Sequence, residues 1–291
     1  MNIYSCVDSD NINKIFVLFY SIFNNTKHFD KLKFYIITDN SIKEPIPDFL
    51  KDKLSIKIID FTKKWRQTLT QFNEHFYNRS SWCQSDLNFA RFFFFTLFPE
   101  IDRVIYLDWD MIVQEDIYEL IKVYNCNNPV VCKLYNNWNI RQNIINEELK
   151  IDETIIKKIE TDFNVKDLMK KDSFNSGFYI VSKKYFEMNS LNTLINKLIN
   201  IQSEYKIFKF GTQVIMNLLF NDHLQNSIFI DYKWNTNQIS KESKIIHWCG
   251  HKKPWDSNDT IWYSYFNELY FIKKNNNINK KINKKLLVKL I

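Results

Sequence analysis

The stretch that most restricts the fold is residues 103–114, R-V-I-Y-L-D-W-D-M-I-V-Q. Residues 104–107 have the length and composition of a strand buried on both faces of a parallel sheet, and the run stops abruptly at two carboxylates, Asp108 and Asp110. In open α/β sheets ligands bind outside the carboxyl ends of the strands, and two aspartates one residue apart can offer oxygens to a single hard cation. A turn whose aspartates only cap the next helix reads the same way, so D-x-D leaves both readings open.

The chain around it alternates between the two periods. Residues 3–7, 33–38 and 55–60 read as strands and residues 11–25 as a helix, the alternation that builds a parallel sheet. The first strand ends at Asp8-Ser9-Asp10, where a carboxylate either accepts a hydrogen bond from a base or ribose or caps the following helix. Residues 61–81 have no clean period and are expected to form a loop that shapes a cleft. Residues 84–98 are apolar at helical spacing and carry Arg91 among them, a guanidinium that is either paired internally or reaches a phosphate. Further on, 116–123, 185–205 and 212–220 read as helices and 129–134, 227–230 and 244–247 as strands. Residues 135–172 are polar and helix-prone and read as an insertion over the sheet edge, with no chemistry assigned to it. The expected class is α/β.

Charge narrows the function classes. The net charge of +7 comes from the end of the chain: from Lys273 onward there are seven Lys and no acid, which leaves 33 basic against 33 acidic residues in the body. A nucleic-acid binder would spread its basic residues over the body, so that class is not expected. In the tail, Ile278, Ile282, Leu286 and Leu290 are spaced by four with lysines between them, which makes either a basic amphipathic helix suited to an anionic membrane surface or a solvated tail. Five scattered cysteines without a C-x-x-C pair argue against a disulfide framework or zinc site and for a reducing compartment. Asp8 and Asp10 interrupt any amino-terminal leader, and no apolar run approaches the roughly 18 residues of a membrane span. The expected location is cytoplasmic, with peripheral membrane contact through the tail.

Only three glycines occur, at 177, 211 and 250, in the contexts N-S-G, F-G-T-Q and H-W-C-G. Each is either an ordinary turn or backbone that no other residue can adopt beside a ligand. His247 stands at a strand end in I-H-W-C-G-H-K-K-P-W, as a metal ligand or a structural imidazole, with Lys252 and Lys253 able to hold a phosphate.

Together, the aspartate pair and this last segment resemble glycosyltransferase family 8, retaining sugar transferases of the GT-A type, with a Rossmann-like, mostly parallel central sheet flanked by helices. The family's H-x-x-G-x-x-K-P-W element is matched by His247, Gly250, Lys253, Pro254 and Trp255. The first strand, Ala90-Arg91, D-x-D, the N-S-G turn and Gln213 follow in family order. The resemblance implies one GT-A domain over 1–272, with 135–172 inserted and 273–291 as the tail.

It also implies that Asp108, Asp110 and His247 bind a divalent metal, Mn2+ with Mg2+ as the alternative, against the diphosphate of a UDP-sugar. Lys253 and the Gly250 backbone would bind phosphate, Cys6, Val7, Asp8 and Asp10 the uridine, and Arg91, Asn175, Ser176 and Gly177 the donor phosphate and sugar. Gln213, preceded by Thr212, would stand beside the anomeric carbon. A front-face displacement with Gln213 stabilising positive charge is the expected route, since an amide is a poor nucleophile. The chain departs from the family at Thr212 and Val214, where many members carry acids, and at Trp109, a bulkier residue that would reshape the nucleotide pocket. The expected activity is transfer of a hexosyl or pentosyl residue to a glycan or lipid-linked acceptor. The rivals are a glycogenin-like self-glycosylating protein and a catalytically silent nucleotide-sugar binder.

Overall fold

Isoleucine, valine and aromatic residues fill the central strands, where helices cover both faces of the sheet and no polar face is needed. The computed structural model describes residues 1–39, 45–61, 85, 87–146, 152–188, 191–205, 212–221 and 227–271. Its strands are β1 (Asn2–Cys6), β2 (Lys33–Thr38), β3 (Ser55–Asp60), β4 (Arg103–Leu107), β5 (Met111–Val113), β6 (Val130–Cys132), β7 (Phe178–Ser182), β8 (Ile228–Ile230) and β9 (Ile245–His247). Seven of them form one sheet in the order β3-β2-β1-β4-β7-β6-β8, while β5 and β9 pair separately. Strands β3, β2, β1 and β4 are parallel, β7 is antiparallel to both β4 and β6, and β8 is parallel to β6. The sheet is therefore mostly parallel, as expected, with β7 alone reversed.

The reversal of β7 brings its start against the end of β4. Their pairing sets Phe178 opposite Leu107, so the residues just outside the pair, Gly177 and Asp108, face each other across the strand ends. The Asp108 backbone N–H donates to Gly177 C=O at 2.9 Å. All five β7 positions are buried, so its sequence has no alternation to mark it as a strand.

Residues 84–98 do not form the single helix expected from their spacing. The helices Leu87–Ala90 and Phe94–Leu97 are separated by a tighter turn at Arg91–Phe93. The Tyr4 hydroxyl donates to the Arg91 carbonyl at 3.1 Å, giving that buried oxygen a partner outside the helix. The helix Thr260–Phe271, which the periodicity did not indicate, buries Trp262, Tyr265 and Leu269 against the amino-terminal half. The expected loop at 62–81, Gly211 and the tail at 273–291 lie outside the described residues, as do 147–151 of the insertion. Among the described residues no helix is long and apolar enough to cross a membrane.

The short strand β5 is secured on one side by backbone pairing with β9 and on the other by side chains of the helix Ile12–Asn25. Ser21 Oγ accepts from the Val113 N–H at 3.0 Å, and Asn25 Nδ2 donates to the Val113 carbonyl at 2.9 Å. Replacing Ser21 with Ala leaves the buried Val113 N–H without that acceptor. Urea unfolding of Ser21→Ala is expected to show a loss of about 1–3 kcal/mol, against a change under about 0.5 kcal/mol for an exposed control substitution.

Candidate active site

Two strand pairings build the site. Strand β4 ends immediately before Asp108, and β5 begins immediately after Asp110, so the D-x-D segment is the connection between them. The β5–β9 register places Met111 opposite His247, and the Trp248 N–H donates to the Asp110 carbonyl at 3.1 Å. His247 Nε2 consequently lies 3.3 Å from Asp110 Oδ1 and 3.7 Å from Asp108 Oδ2. One ligand atom from each of Asp108, Asp110 and His247 falls within 4.8 Å of the others, and the last two residues are 5% and 3% exposed.

Each aspartate has one oxygen engaged and the other turned toward His247. Asp108 Oδ1 accepts from the Tyr106 hydroxyl at 2.5 Å and lies 3.5 Å from the Arg91 guanidinium. Asp110 Oδ2 accepts from Lys253 Nζ at 2.5 Å. Burial pushes the Asp110 carboxyl up, but His247 in its charged form and Lys253 together outweigh it and hold the group well below the usual carboxylate range. Burial likewise pushes the Tyr106 phenol well up, which keeps its proton on and its hydroxyl a donor.

Arg91, 5% exposed, makes the internal pair and also lines the cavity. Its guanidinium donates to the Ser176 carbonyl at 3.1 Å, stands beside Asp108 and lies 4.3 Å over the Tyr106 ring. Its Nε–H is buried and has no hydrogen-bond partner among the described residues.

Gly177 explains one of the three glycines. A Cβ there would collide with His247 Cε1 and stand 2.8 Å from Asp108 Oδ2, so only glycine lets this turn approach the aspartate and histidine. Gly250 needs its freedom for another reason, a backbone φ of +90°. The N-S-G turn is held from behind by Gln213 and Asn217. The Ser176 N–H donates to Gln213 Oε1 at 2.8 Å, and Gln213 Nε2 donates to the Phe174 carbonyl. The Phe174 N–H donates to Asn217 Oδ1 at 2.9 Å, and Asn217 Nδ2 donates back to the Phe174 carbonyl at 2.9 Å. Gln213 thus uses one N–H and one carbonyl lone pair on the turn, which leaves one N–H and one lone pair.

A cavity of about 530 Å³ opens over these groups. One end is charged, lined by Arg91, Asp108, Asp110, His247 and Lys253; Trp109, Gly250 and Cys249 lie there too. The rest of the wall is mostly amide, with one indole: Asn88, Asn136, Asn143, Asn175, Asn237, Gln213 and Trp138, together with Leu134, Ser176 and Thr212. Three of these, Asn136, Trp138 and Asn143, come from the insertion to which the sequence assigned no chemistry. Cys6, Val7, Asp8 and Asp10, expected at the uridine, do not line the cavity. Cys6 and Val7 are buried, and burial pushes the Cys6 thiol up to about 12 despite the nearby Arg91. The Asp8 carboxylate accepts from the Ser85 hydroxyl at 2.5 Å and is pushed up by burial.

The bulk of Trp109 finds a home outside the cluster of acids. Its ring stacks on Trp255 of the K-P-W element at 4.9 Å and 16°, and Lys14 Nζ lies 4.2 Å over Trp255 and 5.4 Å over Trp109. Burial, aided by the like charge of Lys253 and opposed by Asp256, sets the Lys14 ammonium pKa below its ordinary value.

The residues fit a divalent cation. Two carboxylate oxygens and an imidazole nitrogen converge in a largely buried spot, and the remaining oxygen of each carboxylate is already hydrogen-bonded from outside. Mixed oxygen and nitrogen donors suit a divalent transition-metal ion.

Comparison with known proteins places this geometry. The description Glycosyl transferase family 8 matches residues 2–259. Glycosyltransferase 8 domain-containing protein 1 of Mus musculus is 24% identical over 281 residues, covering 84% of this chain and 71% of the relative. Probable galacturonosyltransferase-like 4 of Arabidopsis thaliana is 23% identical over 201 residues, and the match spans 62% of this chain and about half, 54%, of that protein. Among solved structures, the galactosyltransferase LgtC in complex with donor and acceptor sugar analogs superposes with a TM-score of 0.63 at 15% identity over 100% of both chains. The bifunctional glycosyltransferase WbbM gives 0.62 at 18% identity, covering 92% of this chain and 49% of its own. The fold is the GT-A type, and with the family description matching nearly the whole chain, the protein belongs to glycosyl transferase family 8.

Proposed function

We propose that the chain transfers a hexosyl residue from a UDP-sugar to a glycan or lipid-linked acceptor, with metal dependence and retention of configuration. The observation that carries this reading is the convergence of Asp108 Oδ2, Asp110 Oδ1 and His247 Nε2 at the charged end of the cavity. Asp108, Asp110 and His247 would hold Mn2+, with Mg2+ the alternative, and when bound it supplies Lewis-acid neutralisation of the departing diphosphate. Lys253 and the Gly250 backbone stand at that end to bind phosphate oxygens. Arg91 fixes both Asp108 and the Ser176 carbonyl, so it orients the metal cluster and the sugar-facing turn together.

At the other end, amides and an indole suit an uncharged pyranose, whose vicinal hydroxyls pair with amide donors and acceptors and whose apolar face packs on an aromatic ring. The free lone pair of Gln213 is available to stabilise positive charge at the anomeric carbon in an oxocarbenium-like state, and the leaving phosphate takes the acceptor's proton. A donor-binding protein without turnover is the second reading. It is favoured by the engagement of Gln213 with the turn and by Thr212 in place of an acid. Peripheral membrane contact through residues 273–291 remains part of the proposal and is tested by sedimentation with anionic vesicles.

Incubation with UDP-glucose or UDP-galactose and Mn2+ is expected to release UDP, and chelation to abolish the release. Asp110→Ala and His247→Ala are expected to lose at least about 100-fold, the upper end of the scale seen for removing even an outer partner of a metal site. Full activity in either variant overturns the metal role. Donor binding without UDP release across an acceptor screen would instead support the silent binder.

Gly177→Ala is expected to remain folded with its unfolding temperature lowered by a few degrees, the consequence of about 1–3 kcal/mol of overpacking. Its UDP release should fall with the displaced His247 and Asp108. UDP-glucose or UDP-galactose should be turned over faster than UDP-galacturonate, measured by UDP release at equal concentrations, because the wall away from the metal end is amide and aromatic.

A further inference from the structure

Asn235 was not singled out by its sequence, yet its hydrogen bonds determine which nitrogen of His247 carries the proton. The Gly177 N–H, an unambiguous donor, gives its hydrogen bond to Asn175 Oδ1 at 2.9 Å. Asn235 lies 3.2 Å from that oxygen and 3.2 Å from the Asn175 backbone carbonyl, and only an NH2 group can face two acceptors. Its Nδ2 therefore points to Asn175 and its Oδ1 points the other way, to His247 Nδ1 at 2.8 Å. An amide oxygen cannot donate, so Nδ1 must.

The neutral imidazole then has its lone pair on Nε2, the nitrogen that faces Asp110 Oδ1 at 3.3 Å and Asp108 Oδ2 at 3.7 Å. In that neutral form three acceptors meet at one point, an arrangement that a cation satisfies. Asn235 is only 8% exposed, and its place is set by the backbone. Thr236, the next residue, takes a hydrogen bond from the His247 N–H at 2.8 Å and gives one to the Ile245 carbonyl at 3.2 Å.

We infer that Asn235 is a positioning residue for the metal ligand His247, holding it in the Nδ1–H tautomer and tying that ring to the Asn175 turn at the sugar end of the cavity. Histidine ligands commonly give their second ring N–H to such a partner, which fixes ring orientation and basicity. This inference rests on the metal-dependent reading proposed above. It adds a link between the cation and the sugar-facing turn, since Asn175 Oδ1 receives both Asn235 and Gly177.

The test is Mn2+ titration of the purified full chain, followed by the electron paramagnetic resonance signal of the free ion, for wild type and Asn235→Leu. Wild type is expected to bind, and Asn235→Leu to bind about 10- to 100-fold more weakly at an unfolding temperature close to that of wild type. A long-range 1H–15N spectrum of wild type loaded with diamagnetic Cd2+ supplies a second reading that does not depend on the variant folding. His247, assigned by its absence in His247→Gln, is expected to carry its proton on Nδ1. Wild-type binding with Asn235→Leu within twofold of it overturns the positioning role alone; a proton on Nε2 in the loaded protein overturns it together with ligation by His247 Nε2. Failure of wild type to bind millimolar Mn2+ overturns the metal reading and this inference with it.

Discussion

Three hydrogen-bond acceptors crowded together out of water are the feature on which the rest of this molecule depends. Asp108 Oδ2, Asp110 Oδ1 and the Nε2 lone pair of His247 lie within 4.8 Å of one another in a spot where Asp110 and His247 are almost wholly buried. Buried acceptors that face only one another are costly, and the cost falls when a proton or cation sits among them. The surrounding structure makes the arrangement tenable by satisfying everything else. Tyr106 and Arg91 hold one side of Asp108, Lys253 one side of Asp110, and Asn235 the far side of the imidazole.

Holding three such groups in register requires backbone rather than side-chain precision. Asp108 and Asp110 flank one residue between two strands, and those strands belong to different sheets, β4 in the large one and β5 in the pair with β9. Each sheet brings its own contribution to the same point: β7 delivers Gly177 opposite Asp108, and β9 delivers His247 beside Asp110. The glycine is then the condition for closeness, because any Cβ would occupy the space of the histidine ring. A buried aromatic group beneath the site backs this construction. Tyr106 and Tyr179 stack at 4.8 Å, and the hydroxyls of Tyr4 and Tyr179 are hydrogen-bonded to each other.

Much of this was legible in the linear sequence, and the misses have physical causes. The strand ahead of Asp108, the parallel alternation of the first half and the His247–Trp255 segment all follow from local pattern. Arg91 could be recognised as exceptional on an apolar helix, but its partners, Ser176 and Asp108, are fixed only by tertiary packing. The insertion at 135–172 read as chemically silent because Asn136, Trp138 and Asn143 are unremarkable residues until the chain turns them toward the cavity. Asp8 offered the same signal as Asp108, acid at a strand end, and only packing shows that its carboxylate accepts from the Ser85 hydroxyl. The helix Thr260–Phe271 was missed because aromatic residues are spread around it rather than gathered in one stripe.

By itself the sequence determined the fold class, the carboxyl-edge location of the acids and the family to which the chain belongs, because strand burial, helix period and the H-x-x-G-x-x-K-P-W spacing are properties of neighbouring residues. Tertiary structure alone decided which atoms of those residues face each other. The tautomer of His247, the division of each carboxylate into a held and a free oxygen, and the service of Gln213 and Asn235 to the N-S-G turn all arise between segments far apart in the chain. Such contacts are set by strand register and packing, and no pattern within either segment encodes them.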